Sequence, residues 1–306
     1  MMPPQGRLSI EQMCHLARVS RASFYRSLEE HHPVEADMEL RAMIQQIVLE
    51  HRHRYGYRRV TQELHRWGRP VNHKRVGRLM REDNLLGIQP RAFAITTDSR
   101  HDLQVRLNLA RWLHLTGVNQ LWVADITYIR LHREFVFLAV ILDAFSRKVV
   151  GWALDRHLKG ELAVNALRQA LSERQPRPGL VHHSDRGVQY ACAEYVKLLR
   201  EHQVVASMSR AGNPYDNASC ESFMKTLKQE EIYANQYEDL EDLREHLQEF
   251  IENYYNRKRL HSALAYQSPE EFEQRAASAV AAEEVKVASL TVYTYAEDAA
   301  TATART

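Results

Sequence analysis

The sequence predicts an α/β fold, a mixed sheet flanked by helices, preceded by all-α modules. Three observations predict it. Up to about Ile88 the apolar residues recur at helical spacing. From Leu121 to Leu154 β-rich runs follow one another with no helical pattern between them, and beyond that point helix-period and strand-like segments alternate. At 306 residues the chain exceeds the roughly 100 to 200 of an ordinary domain, so more than one folding unit is expected. The expected divisions are residues 1–30, 31–92, a linker over 93–116, a core over 117–275 and a poorly packed tail over 276–306.

The first module opens at Ser9, which is followed three residues later by Gln12 in a capping-box pattern, with Met13, Leu16 and Ala17 at helical spacing. A break at Val19-Ser20 leads to a second helix carrying Phe24, Tyr25 and Leu28. Two short helices joined by a tight turn suggest a helix-turn-helix, in which Arg21, Ser23 and Arg26 would face a major groove. A structural hairpin with a charged outer face explains the same pattern.

In the second module Leu40, Met43, Ile44, Ile47 and Val48 form one apolar stripe. The run His51-Arg52-His53-Arg54-Tyr55-Gly56-Tyr57-Arg58-Arg59 then alternates positive groups with aromatic rings, and Tyr55 and Tyr57 either stack on a ligand or fill a small core. Val60, Leu64 and Trp67 mark the next helix, Gly68 and Pro70 interrupt it, and Asn72 caps another that contains Val76, Leu79 and Met80. The exposed side of this last helix would carry Lys74, Arg75, Arg78 and Arg81, making a second helix-turn-helix-like unit.

The core begins with Leu121 to Ile129 and Phe135 to Leu142 as strands joined by His132-Arg133-Glu134, and Lys148 to Leu154 supplies a third strand. A helix over Glu161 to Glu173, a strand over Gly179 to His183, a helix over Ala193 to Glu201 and a strand over Val204 to Met208 complete the alternation. Leu243, Leu247, Phe250 and Ile251 mark a later helix that runs into the basic segment Asn256-Arg257-Lys258-Arg259, a candidate for backbone phosphates. The patch Val292-Tyr293-Thr294-Tyr295 in the tail has no evident role.

Composition narrows the function classes. The formal net charge of +2 hides an uneven distribution: residues 51–110 hold 13 Lys/Arg against 5 Asp/Glu, and residues 270–306 hold 3 against 7. A local basic surplus is the footprint of a segment that displaces counterions from phosphates, and equally of a solvated helix face. Three scattered cysteines, Cys14, Cys192 and Cys220, exclude a disulfide framework and a paired-cysteine zinc site, and point to a reducing compartment. No signal-peptide pattern opens the chain and no stretch is long enough to span a bilayer, so a soluble, cytoplasmic protein with no membrane partner is expected.

Three carboxylates stand out. Asp125 shares a strand face with Val123, Thr127 and Ile129, where an ionised group is costly without a partner. Asp185 falls where a strand ends, before Arg186-Gly187. Glu221 lies on a helix after the loop Ser209 to Pro214, with Lys225 and Lys228 four and seven residues further along the same face. Each acid alone reads as a cap, turn or surface ion pair. Together, three hard oxygen ligands suit a pair of magnesium ions.

The runs Trp122-Val123-Ala124-Asp125-Ile126-Thr127-Tyr128, Leu142-Asp143-Ala144-Phe145-Ser146-Arg147 with Gly151-Trp152, and His183-Ser184-Asp185-Arg186-Gly187-Val188-Gln189-Tyr190 resemble the integrase-type core of bacterial insertion-sequence transposases. Ser207 to Phe223 and Tyr254 to His261 extend the likeness, which covers roughly residues 36 to 272 and is nearest to the second-reading-frame product of insertion sequence family three. The resemblance implies a ribonuclease-H-like fold with Asp125, Asp185 and Glu221 as the catalytic triad and ligands of Mg2+, with Mn2+ as a substitute. It also implies that Lys228 holds a phosphate beside the scissile bond, with Lys225 as a local partner of Glu221, and that Asp143 is structural. Arg210 and Asn217 match the family wording near the third acid and are candidate DNA contacts, beside the plainer readings of a surface Arg and a loop-capping Asn.

The implied activity is metal-dependent strand cleavage at the element ends and transfer of the resulting 3′-hydroxyl to target DNA. The alternatives are an inert DNA-binding regulator and a nuclease of the same fold. The implied partners are double-stranded DNA, as terminal inverted repeats and target, further copies of the chain on that DNA, and a fused upstream-frame DNA-binding protein. No covalent enzyme intermediate is needed, so Tyr128, Tyr190 and Ser184 are not read as nucleophiles. His182 and His183 suggest a different metal site, but magnesium prefers oxygen, and the expected work of His183 is to orient a neighbour or to meet phosphate.

Overall fold

The computed structural model describes residues 9–28, 35–85, 108–110, 113–132, 134–209 and 217–282. It divides into two units, Met1–Gly87 and Ile88–Thr306.

In the first unit, α1 (Ile10–Leu16) starts on the expected capping box: Ser9 Oγ accepts from Gln12 N, and the Gln12 side chain accepts from Ser9 N. Ser20 Oγ accepts from Ser23 N at the start of α2 (Arg21–Leu28). Helices α3 (Glu35–Glu50), α4 (Tyr57–Arg66) and α5 (His73–Glu82) enclose a core of Ile44, Ile47, Val48, Tyr55, Val60, Leu64, Val76, Leu79 and Met80, all fully buried. Tyr55 is therefore a core residue, stacked on His51 at 3.8 Å between ring centroids, with the Arg59 guanidinium 5.6 Å from its ring. Tyr57 lies against α5, where a Cβ on Gly77 would stand 3.4 Å from its ring. Asn72 Oδ1 caps α5 by accepting from Lys74 N at 2.8 Å.

The second unit is built on a five-stranded sheet. Strands β1 (Leu121–Arg130), β2 (Phe135–Asp143) and β3 (Val149–Asp155) run antiparallel, and β4 (Val181–Ser184) and β5 (Val205–Met208) continue from β1 in parallel, in the order β3-β2-β1-β4-β5. The first hairpin closes where Leu131 N donates to Glu134 O at 2.9 Å. Helices α6 (Gly160–Arg174) and α7 (Ala193–Glu201) cover one face, packing Leu162, Ala166, Leu167 and Tyr195 against Trp122, Ala124, Ile141 and Val150. Helix α6 comes so near β3 that a Cβ on Gly151 would lie 2.3 Å from Ala166 O, so only glycine fits there. This topology is the ribonuclease-H-like arrangement.

Helix α8 (Ala218–Leu227) runs into a π-helical turn, Lys228–Ile232; α9 (Leu240–Gln248) does the same over Glu249–Tyr255; and α10 spans residues 269–282. The expected boundary at residue 276 thus falls inside a continuous helix, and the tail beyond residue 282, with its Val292–Tyr295 patch, lies outside the described residues. At the end of the expected linker, Leu109 N donates to Ser207 Oγ at 2.9 Å, so that part of it lies on β5.

Candidate active site

β1 and β4 pair in parallel, with Val123 opposite His183. Asp125 lies two residues further along β1, and Asp185 two residues beyond His183 and one past the end of β4, so both come to the same end of this parallel pair. Asp185 Oδ1 accepts from Gly187 N at 2.9 Å, and a Cβ on Gly187 would stand 3.0 Å from that oxygen and from Gln189 Oε1. A side chain at 187 would crowd the carboxylate that this turn holds.

Glu221 arrives from the other direction. The first turn of α8 docks on the carbonyls of β1 beside Asp125: Asn217 Nδ2 donates to Ala124 O at 3.1 Å, and Cys220 Sγ donates to Val123 O at 3.8 Å. Glu221 is the next residue. Lys228, two turns on, opens the π-helical turn and is 8% exposed, with Nζ 5.1 Å from the centre of the Tyr128 ring. Burial lowers the Lys228 pKa, and the charge of Asp125 opposes that shift. The i,i+4 pairing of Glu221 with Lys225 does not form among the described residues.

Asp125 feels the other two acids: it is pushed up to about 7, first by burial and then by the charge of Asp185, with Glu221 adding to the shift while the Ile126 N–H and Lys228 oppose it. Glu221 is also raised, by desolvation alone. The oxygen donors of these acids are of the type a hard divalent ion takes. As the side chains stand, no three potential ligands among the described residues are gathered closely enough to hold an ion.

Both histidines before Asp185 are internal. His182 Nε2 meets the Tyr195 hydroxyl at 2.9 Å, and burial lowers its pKa to about 4. His183 lies between two serines, Nδ1 at 2.8 Å from Ser207 Oγ and Nε2 at 3.0 Å from Ser209 Oγ. It orients neighbours, as one reading had it; being fully buried, it does not meet phosphate.

The candidate DNA-contacting residues separate. Arg21, Arg58 and Lys74 are exposed and Arg59 is half-buried against Tyr55; the Arg26 side chain and Arg210 lie outside the described residues. Arg75 and Arg78 both bind Asp37, and Arg78 also binds Glu82, so α3 and α5 are tied by the same arginines that the sequence assigns to phosphate. Arg257 and Lys258 are exposed, with Arg257 3.5 Å from Glu270. Asn217, 8% exposed, turns inward to β1 and makes no side-chain cap on α8. Arg259, from the same basic run as Arg257, is 3% exposed and holds Glu230 at 2.6 and 2.8 Å, so it braces the end of the helix that carries Glu221. Asn256 pairs with both backbone groups of Val149, covering the free edge of β3. Tyr190 and Cys220 also border the acids. Their nearest sequence signals are the Gly187 turn and the adjacency of Cys220 to Glu221.

Comparison with known proteins matches the helical front and the α/β core separately. Models described as integrase core domains match residues 116–214 and 202–269, and an HTH-like domain matches residues 35–93. The transposase for insertion sequence element IS904 of Lactococcus lactis is 40% identical over 235 residues, covering 76% of this chain and 92% of that one. Transposase InsF for insertion sequence IS3A of Escherichia coli is 36% identical over 276 residues, covering 89% and 96%. Among solved structures, the HTLV-2 integrase catalytic core domain in complex with magnesium aligns over 51% of this chain and 97% of that chain at 15% identity, with a TM-score of 0.40. With likeness at this level running through helical front and α/β core alike, the chain belongs to the IS3 family of insertion-sequence transposases.

Proposed function

We propose that this protein catalyses metal-dependent strand cleavage at the ends of an insertion sequence and transfer of the freed 3′-hydroxyl to target DNA. The observation that carries the reading is the placement of Asp125 and Asp185 just past the last paired positions of adjoining parallel strands, with a helix docked on β1 one residue before Glu221. Asp125, Asp185 and Glu221 would hold Mg2+, or Mn2+ in its place. Bound there, a pair of such ions supplies an activated water or hydroxyl and stabilises the leaving oxygen.

The chain's own residues do the rest. Asp125 and Asp185 are half-buried and Glu221 is exposed, so the site opens to solvent on the side of α8. Lys228, held over the Tyr128 ring, donates to a phosphate oxygen beside the scissile bond. Water as nucleophile exposes a 3′-hydroxyl; that hydroxyl as nucleophile joins the strand to target. Arg58, Lys74, Arg75 and Arg78 of the helical unit, with Arg21, and Arg257 and Lys258 of the core, bind the backbone of the end sequences. For Arg75 and Arg78 this means exchanging Asp37 for phosphate, so their contribution is smaller than that of Lys74.

The test is Glu221→Gln in the purified protein, assayed on a labelled duplex of the element's end and on an oligonucleotide with a free 3′-hydroxyl. The variant is expected to bind the duplex as wild type does and to lose both cleavage and joining. Wild-type protein that binds without cutting would make it an inert regulator, and cutting without joining would make it a nuclease.

A further inference from the structure

Tyr190 lies in the 3-10 turn Val188–Ala191 that follows Asp185. It is 4% exposed, and its ring stands edge-on to Tyr195 at 5.5 Å. Its hydroxyl is sealed from solvent and has no hydrogen-bond partner among the described residues. Burial, and then the charges of Asp185 and Asp125, raise its pKa well above the ordinary value.

A buried hydroxyl with nothing to bond is unfavourable, and packing against Tyr195 needs only the ring, which phenylalanine also has. The hydroxyl is chemically matched to its surroundings in one respect. It carries a single O–H donor, and the groups around it, once ionised, are acceptors only. The Gly187 N–H already holds Asp185 Oδ1 from the backbone side, and the Tyr190 ring edge and that oxygen meet on one side of Gly187, 3.5 and 3.0 Å from where its Cβ would stand.

We propose that Tyr190 is a positioning residue of the acidic site: its O–H is donated to the Asp185 carboxylate as the acids close on divalent cations, fixing which oxygen faces the ion. The inference rests on the reading of the acids as ion ligands. Groups that orient a ligand from behind typically change metal affinity by about 10- to 100-fold when removed.

Tyr190→Phe in the full chain is the test, with Asp125→Asn as reference. Calorimetric titration with Mn2+ is expected to show binding about tenfold weaker than wild type for Y190F and none for D125N. The metal-free melting temperature of Y190F should equal or exceed that of wild type, because an unbonded buried group has been removed. In cleavage assays kcat should fall while KM for the duplex stays. A Y190F protein with wild-type Mn2+ affinity and wild-type kcat would overturn the role of Tyr190 alone, as would one that melts several degrees lower, which would mark the hydroxyl as structural. Wild-type protein that takes up no Mn2+ would overturn the ligand reading, and the role of Tyr190 with it.

Discussion

Asp125 and Asp143 stand on neighbouring strands of one sheet and differ in the company they keep. Asp143, at the end of β2, is 0% exposed, yet it accepts from Asn119 N at 2.6 Å, Phe145 N at 2.9 Å and Ser146 N at 3.1 Å, with Arg174 at 3.8 Å. Arg174 also grips Glu273 of α10, which accepts from Ser146 Oγ at 2.7 Å. Asp125 is less buried, accepts from the Ile126 N–H at 2.9 Å, and faces two further acids. Burial raises both pKa values; donors and a guanidinium oppose it at Asp143, and like charges reinforce it at Asp125. Burial alone does not separate a structural acid from a candidate catalytic one. The sign of the neighbours does.

The contrast is broken most directly by exchanging the two acids' fates. Asp125→Asn should abolish cleavage of a labelled duplex and leave the fold intact. Asp143→Ala should do the opposite, costing about 3 kcal/mol of stability, or roughly 6 to 12 °C in melting temperature, because three N–H groups and an arginine lose their acceptor. A stable, inactive D143A would undo the distinction.

Proton linkage sharpens it. In the cation-free protein Asp125 keeps its proton up to about pH 7, while the unfolded chain releases it near 3.8. The native state therefore binds more protons between those values, and stability falls as pH rises through that window. Melting in EDTA should find Asp125→Asn close to wild type at pH 5 and several degrees above it at pH 8. An equal difference at both pH values would sink the assignment.

The smallest effects come from the lysines. Lys228→Gln should slow cleavage about tenfold through loss of one charge-assisted hydrogen bond to phosphate, which is worth roughly 1.5 kcal/mol or more. Lys225→Gln, on an exposed position with no partner acid, should change neither activity nor melting measurably.

The order of elements was legible without coordinates because period and caps are local properties. Ser9 with Gln12, Asn72 before α5, and the limits of α7 all follow from neighbours a few residues away. The acids were legible through the runs that flank them, since each alone reads as a cap, turn or surface ion pair. The work of the basic residues was not. Arg257 and Arg259 are two residues apart in one cationic run, and one is at the surface while the other is sealed against Glu230. His183 reads as a polar group beside a catalytic acid and is a buried strut between serines.

A chain's own pattern of apolar spacing, capping residues and misplaced charge is enough to say which segments become strands and helices and which acids need an explanation. Spacing along a chain carries no information about which carbonyl a helix will dock on. The level pairing of Val123 with His183 and the seats of Cys220 on Val123 and of Asn217 on Ala124 are long-range contacts, set by how α8 packs on the finished sheet. Direction and partner emerge only when distant segments compete for the same buried space.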